Sequence, residues 1–308
     1  MIKVSIITPS YNRAGMIETA IRSVLDQNYP DVEHIIIDGG STDGTLDLLK
    51  KYPHLQVVSE PDQGMYDALN KGLRMTTGEI IGFLNTDDFY EPNIFLKITQ
   101  TFTERKVDAV VGTSKFFQER SDGSRNYFYQ SPIPLKSHFW NDLTLGNPYF
   151  NAWFFRKTVF DILGNFDASY KIAGDREFLL RFALSGLNYE ILSETIYHYC
   201  YHSGSLSMNQ DRAQGIKVNR ENLHLVDHIL EDPRLPEIGC KQLRRLQTRE
   251  TITAASRSLL TKNWKQAKSY SLLGFRFDHL WPLKFVVHSL TGIFRRLIGR
   301  IWVITPKI

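Results

Sequence analysis

Apolar positions in the first 112 residues alternate between short continuous runs and helical spacing. The run at 3–7 is typical of a buried strand, and from Ile17 the apolar residues recur at i, i+3, i+4, i+7 and i+8, the spacing of an amphipathic helix. Strands separated by helices indicate βαβ units and a mostly parallel sheet. The further strands are predicted at 32–37, 56–58, 79–84 and 108–112, and the further helices at 43–51, 65–75 and 91–104.

The predicted sheet also indicates where a ligand binds. Ligands of parallel sheets lie beyond the carboxyl ends of the strands, so the residues that follow each strand are the candidates. All four such segments are polar and three carry carboxylates: 8–13, 38–44, 60–64 and 85–88. We therefore expect one polar site built from these segments.

The rest of the chain changes character. From about 116 to 150 the apolar spacing loosens and becomes aromatic, and 152–186 is predicted to be helical with a break at Gly164-Asn165. Beyond residue 210 the pattern is helical to the end. The prediction is an α/β domain over 1–210 and a helical C-terminal extension over 211–308.

Composition excludes several classes of protein. The hydrophobic fraction of 42% is enough for a sizeable core, and the net charge of +4 is too mild for a nucleic-acid partner. The two cysteines, Cys200 and Cys240, form no CxxC motif. A strand begins directly after Lys3, and no apolar run reaches the ~18 residues of a membrane span. We therefore expect no signal peptide and a cytoplasmic location.

The turn 85–88, Asn-Thr-Asp-Asp, follows the strongest predicted strand. Adjacent carboxylates are costly unless a cation neutralises them, and Mg²⁺ or Mn²⁺ prefers oxygens that it shares with phosphates. The alternative is that these aspartates only cap the helix that begins near Glu91. The position at a strand end favours a site for a divalent cation.

Two other strand ends carry candidate binding residues. Asp38 stands at the tip of its strand, where it can accept a hydrogen bond from a base or ribose, and Ser41 or Asp43 can cap the next helix. This loop is neither a GxGxxG fingerprint nor a Walker loop. Tyr11 offers a flat ring to a nucleobase, and Arg13 a charge to a phosphate.

Four motifs in a fixed order carry a specific resemblance. They are T-P-S-Y-N-R from Thr8, I-D-G-G-S-T-D-G-T from Ile37, S-E-P-D-Q-G-M-Y-D-A-L-N-K-G from Ser59 and T-T-G-E-I-I-G-F-L-N-T-D-D from Thr76. Over roughly residues 1–205 the chain resembles inverting glycosyltransferase family 2, and in particular bacterial members that build exopolysaccharide or surface polysaccharide. The resemblance implies the α/β GT-A fold, a Rossmann-like, mostly parallel sheet flanked by helices, here with a helical C-terminal extension.

The same resemblance implies a role for each residue that matches the motifs. Pro9 and Tyr11 would line the nucleobase pocket, with Asp38 bonded to the base. Uracil is the expected base, and guanine is the alternative. The full set of implied donor-binding residues is Pro9, Tyr11, Arg13, Asp38, Asp62, Gly64, Asn70, Lys71, Asn85, Thr86 and His202.

A metal and a general base complete the expected machinery. Asp87 matches the family's metal-binding aspartate and Asp88 flanks it, so Mg²⁺ or Mn²⁺ is the expected cofactor. Asn85 stands where the family often has Asp, which makes the site less acidic. Asp175 matches the family's general base, although the local sequence alone favours a helix cap.

Two segments are less regular. His198 and His202 lie four residues apart, but Gly204 and the serines near it predict a loop rather than a helical metal pair. By resemblance His202 would close over the diphosphate. Asn151-Ala152 replaces a histidine and glutamine that similar enzymes often have in a region that meets the acceptor.

The last segment has an apolar stripe at 3–4 spacing with arginines beside it, which is typical of a helix lying on an anionic membrane. The alternative is a terminal helix docked on the protein. Because a lipid-linked acceptor would make attachment useful, we hypothesise peripheral membrane contact through residues 279–308, on the inner face of the cell membrane. The stripe comprises Leu283, Val286, Val287, Leu290, Ile293, Phe294, Leu297, Ile298 and Ile301.

The sequence therefore predicts a metal-dependent transfer of a sugar from a nucleotide-sugar donor to a glycan or lipid-linked acceptor. One rival is a sugar-1-phosphate nucleotidyltransferase, but 8–13 lacks the glycine-rich loop expected there. The other rival is a non-catalytic binding relative, which should have lost at least one of Asp38, Asp87 and Asp175.

Overall fold

The computed structural model describes residues 1–202, 212–288 and 290. The chain divides into two compact units, Met1–Met208 and Asn209–Ile308. The strands are β1 Val4–Ser10, β2 Val32–Asp38, β3 Leu55–Ser59, β4 Ile80–Phe83, β5 Phe89–Tyr90, β6 Ala109–Glu119, β7 Arg125–Gln130, β8 Trp153–Arg156 and β9 Tyr189–Cys200. The first unit's helices are α1 Ile17–Leu25, α2 Thr45–Leu49, α3 Met65–Met75, α4 Ile94–Arg105, α5 Phe139–Thr144, α6 Lys157–Leu163 and α7 Gly174–Ser185, with short 3-10 turns at Lys136–His138 and Phe150–Ala152. The second unit contains α8 Arg212–Ile229, α9 Glu237–Leu260, α10 Trp264–Phe277 and a helical segment at 281–288.

The strands of the described residues form a single sheet in the order β3-β2-β1-β4-β8-β6-β9-β5, with β7 paired to β6 off this path. The first four strands in this order run parallel, as the alternating pattern predicted. β8 is antiparallel to both of its neighbours, and β9 is parallel to β6. The carboxyl ends of β1, β2 and β4 therefore lie at one edge, which brings the segments 8–13, 38–44 and 85–88 together.

The prediction that 152–186 is helical was wrong at its start. Trp153–Arg156 is strand β8, inserted between β4 and β6, and helix resumes only at Lys157. Phe154 and Phe155 are fully buried, because both faces of a central strand are covered. A short apolar run has no periodicity that separates a buried strand from a buried helix, and only the aromatic side chains favoured a strand.

The core explains why the parallel half is firmly placed. The buried centres of β1, β2 and β4 are aliphatic, as expected for strands covered on both faces: Ile6 and Ile7, Ile35 to Ile37, and Ile80 and Ile81. One buried cluster joins β1, β4, β8, α4 and β9 through residues such as Ile6, Ile80, Phe95, Phe154 and Tyr197. Full burial of each such side chain contributes roughly 1.5–3 kcal/mol, so the polar edge rests on a strongly held sheet.

The second unit is helical, as predicted for the described part of the extension. Trp281 is buried against α9, where it packs with Ile252 and Ala255 and its Nε1 donates to Thr251 Oγ1 (2.9 Å). Residues 291–308, which carry the second half of the predicted apolar stripe, lie outside the described residues. In the described part of the chain, no helix is long and apolar enough to cross a membrane.

Candidate active site

The loops after β1 and β2 are joined by hydrogen bonds between side chains and backbone. The amide of Asn12 donates to Ser41 Oγ (2.7 Å), and Asn12 Oδ1 accepts from the amide of Thr42 (2.9 Å). The amide of Ala14 donates to Asp43 Oδ2 (3.1 Å). Two neighbouring strand ends thus form one connected polar edge.

Asp38 is fully buried, and both of its carboxylate oxygens accept hydrogen bonds from the protein. Oδ2 accepts from the amides of Gly40 (3.1 Å) and Ser41 (2.8 Å) and from Ser59 Oγ (2.7 Å). The Ser41 hydroxyl donates to Oδ1 (2.5 Å). Asp38 therefore orders the loop that follows β2. Its assignment as the ligand of a nucleobase stays a prediction, and its oxygens already have partners within the protein.

Tyr11, Gly39 and Asp62 meet where the loops after β1, β2 and β3 converge. A Cβ at Gly39 would lie 2.6 Å from Asp62 Oδ2 and 3.3 Å from Tyr11 Cδ2, so only glycine permits this approach. The ring of Tyr11 is 60% exposed, while Pro9 and Arg13 are half-buried beside it. An exposed aromatic face next to a carboxylate suits a flat heterocycle that carries hydrogen-bond donors.

The loop after β3 is held from two sides. Asp62 Oδ1 accepts from the amide of Gly64 (2.8 Å), and Lys171 Nζ donates to the carbonyl of Gln63 (2.7 Å). Lys171 comes from the segment between α6 and α7, and the sequence analysis did not identify it. It brings a cation to the predicted donor-binding residues.

Two predicted donor ligands are engaged elsewhere. Asn70 Nδ2 donates to the carbonyl of Phe166 (2.8 Å), and Asn70 Oδ1 accepts from the backbone amide of Phe166 (3.0 Å). The side chain of Asn70 therefore binds the segment after α6. Lys71 Nζ donates to the carbonyl of Pro61 (2.8 Å) and pairs with Glu60 (2.8 Å), and the bond with Glu60 raises the pKa of Lys71. The donor-binding roles of both residues stay predictions.

Asp88 braces the turn after β4 from within the core. Its Oδ2 accepts from Tyr197 Oη (2.8 Å) and Asn85 Nδ2 (3.0 Å), and its Oδ1 accepts from the amide of Cys200 (2.7 Å). Burial, reinforced by the neighbouring charge of Asp87, raises the pKa of Asp88 well above its usual range. Because Asp88 is 2% exposed and both oxygens have partners, it has little access to a cation. Its assignment as a metal ligand stays a prediction.

Asp87 has the opposite environment. Its Oδ2 lies 2.7 Å from His202 Nε2, and the two side chains are 21% and 22% exposed, whereas Thr86 beside them is buried. A carboxylate oxygen and an imidazole nitrogen within reach of solvent fit Mg²⁺ or Mn²⁺. Among the described residues, no group of three His, Cys, Asp or Glu side chains is arranged to hold a metal. A cation here would take its other ligands from phosphate oxygens and water.

Asp175 lies in the first turn of α7, one residue beyond its start, and Ala173 rather than Asp175 occupies the cap position. The Asp175 amide donates to Tyr66 Oη (3.1 Å), which donates in turn to the carbonyl of Ile172 (2.9 Å). A Cβ at Gly174 would lie 2.8–2.9 Å from three atoms of the Tyr66 ring. Burial raises the pKa of Asp175, although Arg176 and the bond from Tyr66 lower it. A carboxylate with a raised pKa accepts a proton more readily.

Asn151, Tyr197 and Tyr199 connect the two halves of the site. Asn151 Nδ2 donates to Tyr197 Oη (3.1 Å), and its amide donates to Tyr199 Oη (3.2 Å). Burial raises the pKa of Tyr199 well above its usual range, and the charges of Asp88 and Asp175 add to the effect. Tyr199 therefore experiences the charge of both carboxylates. Neither tyrosine was predicted as part of the site, although their two-residue spacing is the alternation of a strand.

The loop predicted for the segment of His198 and His202 begins only after Cys200. β9 continues to Cys200, so His198 lies in a strand, stacked on Phe89 with ring centroids 4.3 Å apart and 2.7 Å from Glu91. Successive strand residues face opposite sides, so His198 faces away from Tyr197 and Tyr199. The two histidines form no metal pair, because His198 contacts Glu91 whereas His202, beyond the end of β9, contacts Asp87. The glycine and serines of 204–207 lie outside the described residues.

Known proteins resemble this chain in sequence and in fold. Residues 5–163 match the family model described as Glycosyl transferase family 2. The putative teichuronic acid biosynthesis glycosyltransferase TuaG of Bacillus subtilis is 40% identical over 107 residues, which is 33% of this chain and 42% of TuaG. The match thus spans less than half the length of that relative.

Two solved structures share the fold. Staphylococcus aureus TarS 1-349, in complex with UDP-GlcNAc, superposes with a TM-score of 0.57 at 18% identity over 92% of each chain. The mannosyltransferase PcManGT from Pyrobaculum calidifontis, in complex with GDP-Man and Mn²⁺, superposes with a TM-score of 0.59 at 20% identity, over 94% of this chain and 87% of its own. The predicted α/β GT-A fold with helices at the C-terminus is confirmed.

Proposed function

Since this chain belongs to glycosyl transferase family 2, we propose that it transfers a sugar from a UDP-sugar to a hydroxyl group of a glycan or lipid-linked acceptor, with inversion at the anomeric carbon. The names of TuaG and of other relatives in cell-surface glycan synthesis support a role in bacterial polysaccharide biosynthesis. The UDP-GlcNAc held by the neighbour TarS supports uridine as the base of the donor.

The donor binds along the carboxyl edge of the parallel strands. Uracil stacks on the exposed ring of Tyr11, between Pro9 and the loop of Asp62. The buried carboxylate of Asp38 accepts hydrogen bonds from the loop that follows β2 and thereby holds the backbone of that loop in place. Lys171, already bonded to the carbonyl of Gln63, stands at the margin of the donor loop.

Asp87 and His202 would hold the divalent cation. When bound, the cation supplies positive charge that neutralises the diphosphate as it leaves. Asp88 keeps Asp87 in position by fixing the turn through Tyr197 and the amide of Cys200. The Mn²⁺ in the neighbour PcManGT supports a divalent cofactor.

Asp175 is the general base. Its carboxylate takes the proton of the acceptor hydroxyl as that oxygen bonds to the anomeric carbon. The bond from this carbon to the diphosphate breaks on the opposite face, and its electron pair leaves with the UDP. The products are an inverted glycoside, UDP and a proton on Asp175. The raised pKa of Asp175, caused by burial, makes it a stronger base for this step.

One observation carries the proposal: Tyr66, in the helix that follows the donor loop, accepts the amide hydrogen bond of Asp175 (3.1 Å), so the candidate base lies beside the donor-binding segments. A base on one side and a diphosphate site on the other are what in-line displacement requires. The test is incubation with a panel of nucleotide sugars and Mn²⁺ while free nucleoside diphosphate is measured. Release of UDP from at least one donor is expected. Release of pyrophosphate from UTP and a sugar 1-phosphate would instead support the nucleotidyltransferase, and no turnover of any kind would support a non-catalytic relative.

The C-terminal helical segment supports contact with the inner face of the membrane. Leu283, Val286, Val287 and Leu290 share one face, and each is more than half exposed. A different face of the segment packs on the protein. Trp281 is buried on that face, and Phe285 stacks on Trp281. One side of this helical segment therefore packs on the protein, while the other side leaves its apolar residues exposed.

The basic residues of this region favour an anionic lipid surface as the partner of the exposed face. Between residues 264 and 301 the sequence has seven basic residues and one acidic residue, Asp278. Basic residues beside an apolar helix face favour anionic headgroups, each contributing about 1 kcal/mol near the surface. A membrane-bound position would bring the enzyme to a lipid-linked acceptor. The basic residues are Lys265, Lys268, Arg276, Lys284, Arg295, Arg296 and Arg300.

A further inference from the structure

Strand β7 exposes three consecutive aromatic side chains. Tyr127, Phe128 and Tyr129 are 46%, 55% and 46% exposed, and every residue of β7 is classed with the exposed surface. β7 pairs with β6 alone and lies outside the main strand order. Contiguous exposed apolar surface on a folded protein marks a place where something binds.

A β-bulge sends the two tyrosines to opposite faces. Phe116 pairs with Tyr129, but the next residue, Phe117, pairs with Tyr127, which leaves Phe128 as the extra residue of the bulge. Cross-strand partners share a face, and Phe116 and Phe117 face opposite sides. Bulges of this kind re-aim side chains, so Tyr129 and Tyr127 have equal exposure but different surroundings.

The face of Tyr129 leads to the candidate active site. Tyr129 Oη lies 3.0 Å from Tyr149 Oη, and the Tyr149 ring packs on Phe116 (5.5 Å between centroids) and Tyr199 (6.4 Å). Phe116 stacks on Tyr199 at 4.9 Å. Tyr199 in turn accepts the amide hydrogen bond of Asn151. A continuous row of packed aromatic side chains thus runs from β7 to Tyr199, which packs on Tyr197 at 4.6 Å between centroids.

The face of β7 that carries Tyr127 packs away from the candidate active site. Its ring packs against Phe117 at 5.7 Å and His198 at 5.5 Å, and the guanidinium of Arg125 covers Phe89 at 4.0 Å. His198 points away from the site, as its neighbours in β9 require. Tyr127 is therefore a natural comparison for Tyr129, with the same side chain and the same exposure on the same strand.

The backbone of Tyr149 is a second, independent sign of function. Its φ is +44°, in the left-handed region that aromatic residues rarely adopt. Such conformations persist where the surrounding structure enforces them, and they cluster at ligand sites. The hydrogen bond to Tyr129 and the packing on Phe116 hold the ring in this place.

We propose that Tyr129 and Tyr149 form the platform on which a pyranose ring of the acceptor lies as its hydroxyl approaches Asp175. This rests on the proposed glycosyltransferase function and names the acceptor's chemistry: a sugar ring with an apolar C–H face, rather than a bare lipid phosphate. The face of a tyrosine ring is apolar and suits those C–H groups, while the phenolic hydroxyls at its edge suit sugar hydroxyls.

The test measures sugar binding without turnover. Saturation-transfer NMR on the full chain, with UDP and Mg²⁺ present, uses methyl β-glucopyranoside, methyl α-mannopyranoside, methyl N-acetyl-β-glucosaminide and cellobiose as probes. The variants are Tyr129→Ala, Tyr129→Phe and the matched control Tyr127→Ala. All three change a half-exposed side chain on an edge ribbon, and circular dichroism checks that each is folded.

We expect at least one sugar to bind, with its C–H protons receiving the strongest saturation. Tyr129→Ala should weaken that binding about tenfold, Tyr129→Phe should weaken it less, and Tyr127→Ala should leave it unchanged. Equal binding by Tyr129→Ala and the natural chain, or no saturation of any probe, would overturn the platform. So would a dimer in sedimentation velocity that Tyr129→Ala dissociates, because a second copy would then be the occupant.

This outcome is separable from that of the proposed function. UDP release by the natural chain in water, without any acceptor, reports the donor site alone. A chain that binds the sugars but releases UDP from no donor would fail the proposed function. A chain that releases UDP but is unaffected by Tyr129→Ala would fail only the platform.

Discussion

The hydroxyl of Tyr66 lies 3.1 Å from the backbone amide of Asp175 and 2.9 Å from the carbonyl of Ile172. Tyr66 belongs to α3, which follows the donor loop, whereas Asp175 begins the helix of the general base. One buried side chain therefore joins the donor half of the site to the catalytic carboxylate, and Gly174 is the residue that lets the ring approach.

Tyr66→Phe is expected to lower kcat about tenfold and to leave the KM for the donor nearly unchanged, because it removes the two hydrogen bonds with the Asp175 amide and the Ile172 carbonyl and none at the donor. Burial raises the pKa of Asp175, and the Tyr66 hydroxyl is the weakest of the influences that lower this pKa. Without it that pKa rises further, so the acidic limb of the pH profile of kcat moves to higher pH. Steady-state kinetics across pH provide the measurement.

Tyr52→Phe is the matched control for this prediction. Tyr52 also donates a hydrogen bond from its hydroxyl, to Glu18 (2.6 Å), but on the surface beside α1. It should leave both kcat and the acidic limb unchanged. An unshifted limb in Tyr66→Phe would show that Tyr66 does not position the base.

Substitution of Asp87 should affect metal binding, whereas substitution of Asp88 should affect the stability of the fold. Asp87→Ala is expected to weaken Mn²⁺ binding in the presence of UDP at least about tenfold with little loss of stability, because Asp87 is partly exposed. Asp88→Ala is expected to lower the free energy of unfolding by roughly 1–3 kcal/mol or more, because its buried hydrogen-bond donors lose their acceptor. Electron paramagnetic resonance of Mn²⁺ and urea unfolding measure the two effects.

His202→Ala should resemble Asp87→Ala, since the two side chains form one pair. The reverse pattern, with Asp88→Ala fully stable but unable to bind Mn²⁺, would restore Asp88 as the metal ligand predicted from sequence.

The difference between these two aspartates shows what the sequence leaves open. Both stand in one turn with one chemistry, and only the long-range contact from Tyr197 decides which is buried. The strands from β1 to β4 were predictable because their apolar runs are local. β8 was not, because its place between β4 and β6 is set by pairing far along the chain.

The candidate site divides in the same way. The loops after β1, β2 and β4 follow from strand order alone, so Tyr11, Asp38 and Asp87 could be named from motifs. Lys171 and Tyr66 act across the gap between distant segments, and Asn70 turns toward Phe166 rather than toward the loop edge. No local pattern specifies those directions.

Glu33 should make stability depend on pH in acid. It lies near the amino end of β2, at the opposite edge of the sheet from the site. There it accepts hydrogen bonds from Ser5 (2.5 Å) and the amide of Thr77 (2.6 Å) and pairs with Lys3 (2.9 Å). Burial raises its pKa, but the hydrogen bonds from Ser5, Thr77 and Lys3 outweigh burial and lower it from 4.5 to about 2.

Because the folded pKa is the lower one, the stabilisation from Glu33 is fully present above pH 4.5 and is lost as the pH falls towards about 2. Glu33→Gln should therefore unfold more easily in urea at pH 6, and its stability should fall less between pH 4.5 and 3 than that of the natural chain. Parallel loss of stability in both proteins across that interval would contradict this.

The exposed face of the C-terminal helical segment should bind anionic vesicles. The triple variant Leu283→Asp, Val286→Asp and Val287→Asp is expected to reduce co-sedimentation with vesicles of phosphatidylglycerol and phosphatidylcholine at least about tenfold. Truncation at residue 279 is a poorer test, since it removes the buried Trp281 and thereby disturbs α9. Equal co-sedimentation of the triple variant and the natural chain would exclude this face as the contact.

The rate of UDP release with donor and acceptor present, compared between the natural chain and Asp175→Asn, tests the assignment of the general base. Asp161→Asn, an exposed aspartate on α6, is the control. Asp175→Asn should bind UDP with an unchanged Kd but transfer sugar at least about a hundredfold more slowly, because no group remains to take the acceptor proton. Transfer by Asp175→Asn at the natural rate would contradict the proposed mechanism.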